Sequence, residues 1–337
     1  MNGVRFAALG DSLTSGIGDP VEGGWRGWAA LLGEGRTVFG NFAVSGALTA
    51  DVEESQTPAA LDFGADLASV VVGVNDTLRA AFDIEDIAVR LDRACHALAG
   101  QGAVLLTACL PDPGAMLGLP GPLARPLARR QRALNSVVHA LSARYDAVHL
   151  HMSDAAWIAE RGLWSADRLH PGERGHRVIA ARFHGLLAER GLRLGAPPPL
   201  AAERPPPSRR ESLRWLATKG SVWVARRCRD LLPELLRLAA AEARHAARGT
   251  TRRLDAAADR SLALAVATLG PEPPWRQAPA AGRPGRGTAH GPHPASASAS
   301  ASESRGTAAP QRRGPEPNGP VDAHRTPAPA DFGLLPG

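Results

Sequence analysis

The run Val4-Arg5-Phe6-Ala7-Ala8-Leu9-Gly10-Asp11-Ser12-Leu13-Thr14-Ser15-Gly16 begins as an apolar strand and breaks at Gly10. A hydroxyl therefore stands where a strand stops. In an open α/β sheet, the crevice beyond the carboxyl ends of the strands is where ligands bind. Ser12 is thus placed for chemistry as well as typed for it. An Asp-Ser pair is also an ordinary turn or helix N-cap, and only the rest of the chain can choose between the two.

From Val4 to Glu189, short apolar runs alternate with longer stretches of helical spacing, the signature of βαβ units and a parallel sheet. Val4 to Leu9, Thr37 to Phe42, Leu67 to Val72, Ala103 to Ala108 and Ala147 to His151 read as strands. Trp25 to Leu32, Ile84 to Leu98 and Arg125 to Arg144 carry helical spacing, and a last helix follows His170 from about Gly172 to Glu189. Five strands with helices on both faces predict a three-layer α/β/α sandwich. The strand ends of a parallel sheet share one edge. Gly10-Asp11-Ser12-Leu13, Asn41 through Ser45-Gly46, and Gly73-Val74-Asn75-Asp76 therefore bring Ser12, Gly46 and Asn75 to a common rim.

Leu110 to Pro126 reads as a long Pro/Gly-rich loop carrying Met116, Leu117 and Leu119. It either walls a substrate pocket or is a surface excursion whose apolar residues pack back on a helix. Further on, Pro171 favours an extended His170 and suits a helix opening, which leaves Asp167 and His170 on the loop before the last helix.

The chain has 337 residues, 44% of them hydrophobic, enough for a sizeable core. Residues 1–194 read as the catalytic domain, 195–207 as a Pro-rich linker, 208–269 as a basic amphipathic helical segment and 270–337 as a disordered low-complexity tail. The formal net charge of +6 invites a nucleic-acid reading, but residues 208–260 alone carry +7. The rest is close to neutral, and aromatics are only 4% of the chain, so no nucleic-acid partner is expected. Leu213, Leu216, Val224, Leu231, Leu235 and Leu238 recur at helical spacing among the arginines. This segment docks on the catalytic domain or, as the sharper reading, makes weak contact with an anionic membrane surface. Cys95, Cys109 and Cys228 form no disulfide or zinc pattern. With no signal-like start and no run of about 18 apolar residues, a cytoplasmic location without an obligate protein partner is the expectation.

A serine hydroxyl needs a base and an orienting group to become a nucleophile. His170 can be the base, and Asp167, three residues earlier, can hold its imidazole. The backbone N–H groups of Ser12 and Gly46, with the side-chain amide of Asn75, can serve the tetrahedral oxyanion. Asp-x-x-His alone is a weak signal, and Asp146 with His149 is a rival. That pair lies in the fifth strand, where residues three apart point to opposite faces.

In the order Gly10-Asp11-Ser12-Leu13, Asn41 to Gly46, Gly73-Val74-Asn75-Asp76 and Asp167-Arg168-Leu169-His170, the chain resembles the GDSL or SGNH hydrolases from about Val4 to Glu189. The resemblance implies a flavodoxin-like fold with strand order 2-1-3-4-5, Ser12, Gly46, Asn75 and His170 as the eponymous residues, and Asp167 completing the triad. Val74 stands where many members carry a second glycine.

His149 and His151 share a strand face but lack carboxylates of matching spacing, so they read as packed or surface histidines and no metal or cofactor is expected. His176 reads as a structural residue. No Gly-x-Ser-x-Gly elbow, dinucleotide loop or phosphate loop is present. The expected activity is a serine esterase acting on a small-molecule or lipid ester. Lysophospholipase, thioesterase and sugar O-acetyl esterase remain open within the same chemistry, and a recruited non-catalytic scaffold outside it.

Overall fold

The computed structural model describes residues 3–35, 37–215, 217–218 and 221–270. Apart from Gly270, the tail expected to be disordered lies outside the described residues.

The first apolar run forms β1 (Val4–Gly10), and its alternation divides the core. Phe6 and Ala8 face one way, Ala7 and Leu9 the other, and all four are fully buried. A strand covered on both faces needs no polar alternation, which is why it reads as a continuous apolar run. After α1 (Ser12–Ser15), a small antiparallel hairpin of β2 (Pro20–Val21) and β3 (Gly24–Trp25) precedes α2 (Gly27–Gly33). Trp25, expected in the helix, belongs to this hairpin instead.

The other sheet strands are β4 (Thr37–Asn41), β5 (Leu67–Val71), β6 (Val104–Cys109) and β7 (Val148–His151). All pair in parallel in the order β4-β1-β5-β6-β7. Counted along the five strands, this is 2-1-3-4-5. Past the short helix α5 (Val74–Thr77), one face is covered by α6 (Ile84–Gly100) and α8 (Gly121–Arg144); past the short α9 (Ala155–Ala159), α10 (Glu173–Glu189) joins α2 on the other.

Two stretches differ from the sequence reading. No helix was expected between β4 and β5, yet α3 (Thr49–Asp51), a π-helical turn Val52–Gln56 and α4 (Thr57–Phe63) run continuously there. Acidic residues and Pro58 hide the pattern; Pro58 opens α4 directly after the π-helical turn and withdraws only its own N–H from the continuous run. The supposed loop Leu110 to Pro126 is mostly helical. Asp112 caps α7 (Pro113–Leu117) by accepting from the Gly114 amide at 2.8 Å, and α8 begins at Gly121. Pro122 sits in the first turn of α8, and Pro126 inside it forfeits only the bond to the Pro122 carbonyl.

Beyond α10, residues 195–207 do not hang free as a linker. Buried Glu173 accepts from the Glu203 amide at 2.7 Å and the Arg204 amide at 3.0 Å, and buried Arg177 reaches the Pro199 carbonyl. Three helices then follow at the C-terminal side of the chain, α11 (Arg209–Trp215), α12 (Ser221–Ala247) and α13 (Thr251–Thr268). Both α12 and α13 pack on α8, and α13 also on α6. Ala265 and Leu269 enter the core beside α6. Buried Glu242 pairs with Arg129, and buried Glu234 with Arg130. The leucine stripe is not the anchor: Leu213 is 65% exposed and Leu235 and Leu238 are only half-buried, while Leu216 and the side chains of Val224 and Leu231 lie outside the described residues. Among the described residues, no helix is long and apolar enough to cross a membrane.

Candidate active site

The ends of three adjacent strands build the rim. Past Gly10, Asp11 is the N-cap of α1, its Oδ1 accepting from the Leu13 amide at 3.0 Å, and Ser12 is the first helical residue. Past Asn41, the chain keeps to the end of β1: the Phe42 amide donates to the Ala8 carbonyl and the Val44 amide to that of Gly10. It turns at Val44–Ala47, closed by the Ala47 amide on the Val44 carbonyl, with Gly46 at φ 87°. That backbone conformation favours glycine. Past β5, Asn75 lies in the short helix α5 (Val74–Thr77). Its Nδ2 donates to the Ala47 carbonyl at 3.1 Å and to Asp11 Oδ2 at 3.3 Å, so all three strand ends are tied to one another.

Asp167 and His170 come from a compact turn before α10. The Ser165 amide donates to the His170 carbonyl, and Asp167 Oδ1 accepts from Ser165 Oγ at 2.6 Å and from the amides of Leu169 and His170 at 2.9 and 3.0 Å. These bonds hold Arg168 at φ 59°, the left-handed region that a side chain rarely adopts. The turn reaches Ser12 because Gly18 lets it: a Cβ there would stand 1.9 Å from the Pro171 carbonyl oxygen.

The result is a continuous chain of hydrogen-bonding atoms. Ser12 Oγ lies 2.7 Å from His170 Nε2, and His170 Nδ1 lies 2.6 Å from Asp167 Oδ2. Burial works to raise the Asp167 carboxyl, but the hydrogen bond and charge of His170, with the His170 amide and Ser165 hydroxyl, hold it down at about 2. An ionised carboxylate only accepts, so Nδ1 of His170 carries the proton and Nε2 presents its lone pair to the serine hydroxyl. The rival pair has no such arrangement: Asp146 bonds Arg190 at the surface, while His149 faces Thr107 and Ser142.

Several further residues hold the rim in place: Gln56, which sequence reasoning missed, Asp11 and Asp76, whose contacts it did not foresee, and His176, which it read as structural. Gln56, at the end of the π-helical turn, clamps the Gly10 backbone from both sides, accepting from its amide at 2.8 Å and donating to its carbonyl at 3.0 Å. Buried Asp76 accepts from the amide and hydroxyl of Thr49, and burial raises its carboxyl. Asp11 is fully enclosed, and desolvation, opposed by the Leu13 amide and His170, raises it to about 6. His176 is buried between elements, its Nδ1 accepting from the Trp28 amide at 3.1 Å and its Nε2 donating to the Ile17 carbonyl at 3.0 Å. Burial pushes it down to about 4. Asp11 and Asp76 stand inside the quoted blocks, whereas nothing in the sequence marked Gln56.

Two outcomes concern residues set aside or misjudged. A cavity of about 470 Å³ opens beside the turn that carries Asp167 and His170, lined in part by Met116, Ile158, Trp164, Ser165 and Arg168. Met116 is on it, but Leu117 is 39% exposed and Leu119 is not among the lining residues. His149 and His151, read as packed or surface side chains, lie with His139 and Cys109 in one cluster. Burial, with neighbouring His139 and His151, lowers His149 to about 4.

No curated protein matches the sequence. Among solved structures, similar folds include the psychrotrophic esterase EstA from Pseudoalteromonas sp., at 18% identity over 55% of this chain and 97% of that one with a TM-score of 0.44. A lipase/acylhydrolase from Enterococcus faecalis is 16% identical over 56% of this chain and 96% of that one, with a TM-score of 0.47. An acetyl xylan esterase from Geobacillus stearothermophilus is 18% identical over 58% and 98%, with a TM-score of 0.43. Residues 8–178, half of the chain, match the GDSL-like Lipase/Acylhydrolase family. The match takes in all four sequence blocks and the whole rim, and the chain therefore belongs to this family of ester-bond hydrolases.

Proposed function

We propose that the protein is a serine esterase that hydrolyses carboxylic esters through an acyl-enzyme on Ser12. The observation that carries this reading is the unbroken Ser12–His170–Asp167 chain at 2.7 and 2.6 Å. Ser12 Oγ attacks the ester carbonyl carbon as His170 Nε2 takes the hydroxyl proton. The imidazolium formed is stabilised by Asp167, which stays ionised. The negative carbonyl oxygen is met by the backbone N–H groups of Ser12 and Gly46 and by Asn75 Nδ2, each donor being worth roughly 10²–10³ in rate. Asn75 can do this by turning one of its two hydrogens from Asp11 Oδ2, its longer bond, to the oxyanion. Collapse breaks the carbon–oxygen bond to the alcohol, which leaves with the proton from His170. Water, deprotonated by the same imidazole, then attacks the acyl carbon and releases Ser12 and the acid.

The cavity next to Ser165 and Arg168 suits the acyl side of the substrate, with Met116, Ile158 and Trp164 as apolar wall. A reducing, cytoplasmic setting fits the buried, unpaired thiols of Cys95 and Cys109. The test is a panel of p-nitrophenyl esters from acetate to palmitate, with phospholipid, thioester and acetylated-sugar substrates alongside. At least one ester should be turned over, and Ser12→Ala should abolish the turnover, since loss of the nucleophile in a comparable triad costs about 10⁶. No turnover of any member, or more than about a tenth of the activity in Ser12→Ala, overturns the reading.

A further inference from the structure

A second cluster of reactive side chains lies outside the ester chemistry. The parallel register of β6 and β7 sets Thr107 opposite His149 and Cys109 opposite His151. All four side chains face α8, which brings His139 and Ser142, one turn apart, against them. The ligating atoms of Cys109, His139, His149 and His151 lie within 4.8 Å of one another.

We propose that Cys109, His139, His149 and His151 form a tetrahedral site for a thiophilic divalent cation, with zinc(II) the ion whose preferences they match. One sulfur and three imidazole nitrogens are the donor set of a closed structural zinc centre. Bond lengths of about 2.0–2.1 Å to nitrogen and about 2.3 Å to sulfur require edges of roughly 3.4 Å between nitrogens and roughly 3.6 Å between nitrogen and sulfur. Two edges already have these lengths: His139 Nε2 to His151 Nδ1 is 3.4 Å, and Cys109 Sγ to His151 Nδ1 is 3.7 Å.

Hydroxyl bookkeeping fixes the His149 tautomer that a metal would need. Ser142 donates its hydrogen to the Val138 carbonyl, so the 2.7 Å contact between Ser142 and Thr107 must use the Thr107 hydrogen. Neither hydroxyl has a hydrogen left for His149 Nδ1, which lies 2.9 Å from Thr107 and 3.1 Å from Ser142. Nδ1 therefore carries its own proton, and Nε2 holds a lone pair. That Nε2 is buried and has no hydrogen-bond partner. A second ring nitrogen held by an outer hydrogen bond is the usual arrangement of a metal-ligating histidine. The sulfur is supported likewise: the Met152 amide donates to Cys109 Sγ at 3.3 Å, and Ser153 Oγ lies 3.3 Å away. Exposed His139 and His151 give an ion its way in from solvent, while Cys109 is buried. With four protein ligands no position is left open for a substrate, so the site would be structural, pinning edge strand β7 to β6 and α8.

The test uses the full-length chain, stripped with a chelator and titrated with zinc chloride and, separately, cobalt(II) chloride. One equivalent of zinc should bind, and Tm should rise by roughly 5–10 °C at about a hundredfold excess over Kd. The cobalt form should show the visible bands of a tetrahedral ion and a thiolate-to-cobalt charge-transfer band, which Cys109→Ser removes. His139→Gln and His151→Gln replace exposed side chains and leave the core intact. Each should weaken zinc binding at least a hundredfold without changing ester hydrolysis. Binding unaltered in both histidine variants, no stoichiometric binding, or a cobalt spectrum without a sulfur band overturns the proposal. Should Cys109→Ser fail to fold, the two histidine variants still decide it.

Discussion

Asp11 is a buried carboxyl whose ionisation the fold opposes, and Asp11→Asn tests this. Its carboxyl is raised from 3.8 to about 6, chiefly by desolvation. Between these two values the native state holds a proton that the unfolded chain has released, so stability falls as pH rises. The contribution is fully present below 3.8 and lost through 6. By pH 7 the loss is about 3 kcal/mol, a shift of roughly two units at about 1.36 kcal/mol each. Asparagine removes this cost and keeps the helix cap, since its carbonyl oxygen can still accept from the Leu13 amide. It forfeits the 3.3 Å bond from Asn75, worth about 1 kcal/mol. The variant should therefore be about 2 kcal/mol more stable than wild type at pH 7, a Tm gain of roughly 4–8 °C. At low pH only the lost bond remains, and wild type should become the more stable protein, with the crossover at about pH 4–5. Thermal unfolding of both proteins in steps from pH 3.5 to 8 measures this. A variant less stable than wild type by the same amount at every pH would refute the reasoning.

Asp167 has the opposite sign. Held at about 2, its contribution is present above 3.8 and lost as pH falls through 2; Asp167→Asn should lower kcat by about 10⁴, and a loss under tenfold in ester assays would remove Asp167 from the triad. Met116→Trp should shorten the preferred acyl chain by filling the cavity beside Arg168, whereas an unchanged chain-length profile would show that the acyl group binds elsewhere. Truncation after residue 207 strips the cover from α6 and α8, exposing the surfaces that Ala265 and Leu269 bury. Tm should fall by roughly 5–15 °C, from about 2–4 kcal/mol of lost burial. An unchanged Tm, with salt-sensitive co-sedimentation of the full chain on anionic vesicles, would instead make residues 208–260 a membrane adaptor.

How much of this was legible follows from the range of the interactions involved. Strands buried on both faces leave unbroken apolar runs, and the breaks that end them mark the rim, so β1, β5 and the Gly10–Leu13 block could be read locally. Asp167 and His170 were legible because they share one turn, and their partner Ser12 because its own strand end advertises it. The helices from Thr49 to Phe63 were missed because Val52 and Ala60 bury one narrow side while Pro58 reads as a break. Pro122 and Pro126 misled in the same way near the start of α8, where the first lies in the opening turn and the second removes a single bond. The basic C-terminal segment shows a different failure. Its leucine periodicity is genuine, but what the fold buries there is Glu234 and Glu242 against Arg129 and Arg130, more than a hundred residues away.

The thiol–imidazole cluster carries that lesson to its limit. Ligand spacing in a sequence is informative only when one hairpin or helix supplies the ligands, and here Cys109 and His139 are brought to His149 and His151 by a strand register and a helix face. Nothing in a spacing rule encodes the register of β6 against β7, which is set by the alternation of Leu106 and Ala108 into the opposite core. The same alternation that buries those two residues turns Thr107 and Cys109 toward α8. Shifting β6 by one residue against β7 would therefore bury polar side chains and disperse the four ligands together, so the apolar core and the cluster impose one and the same register.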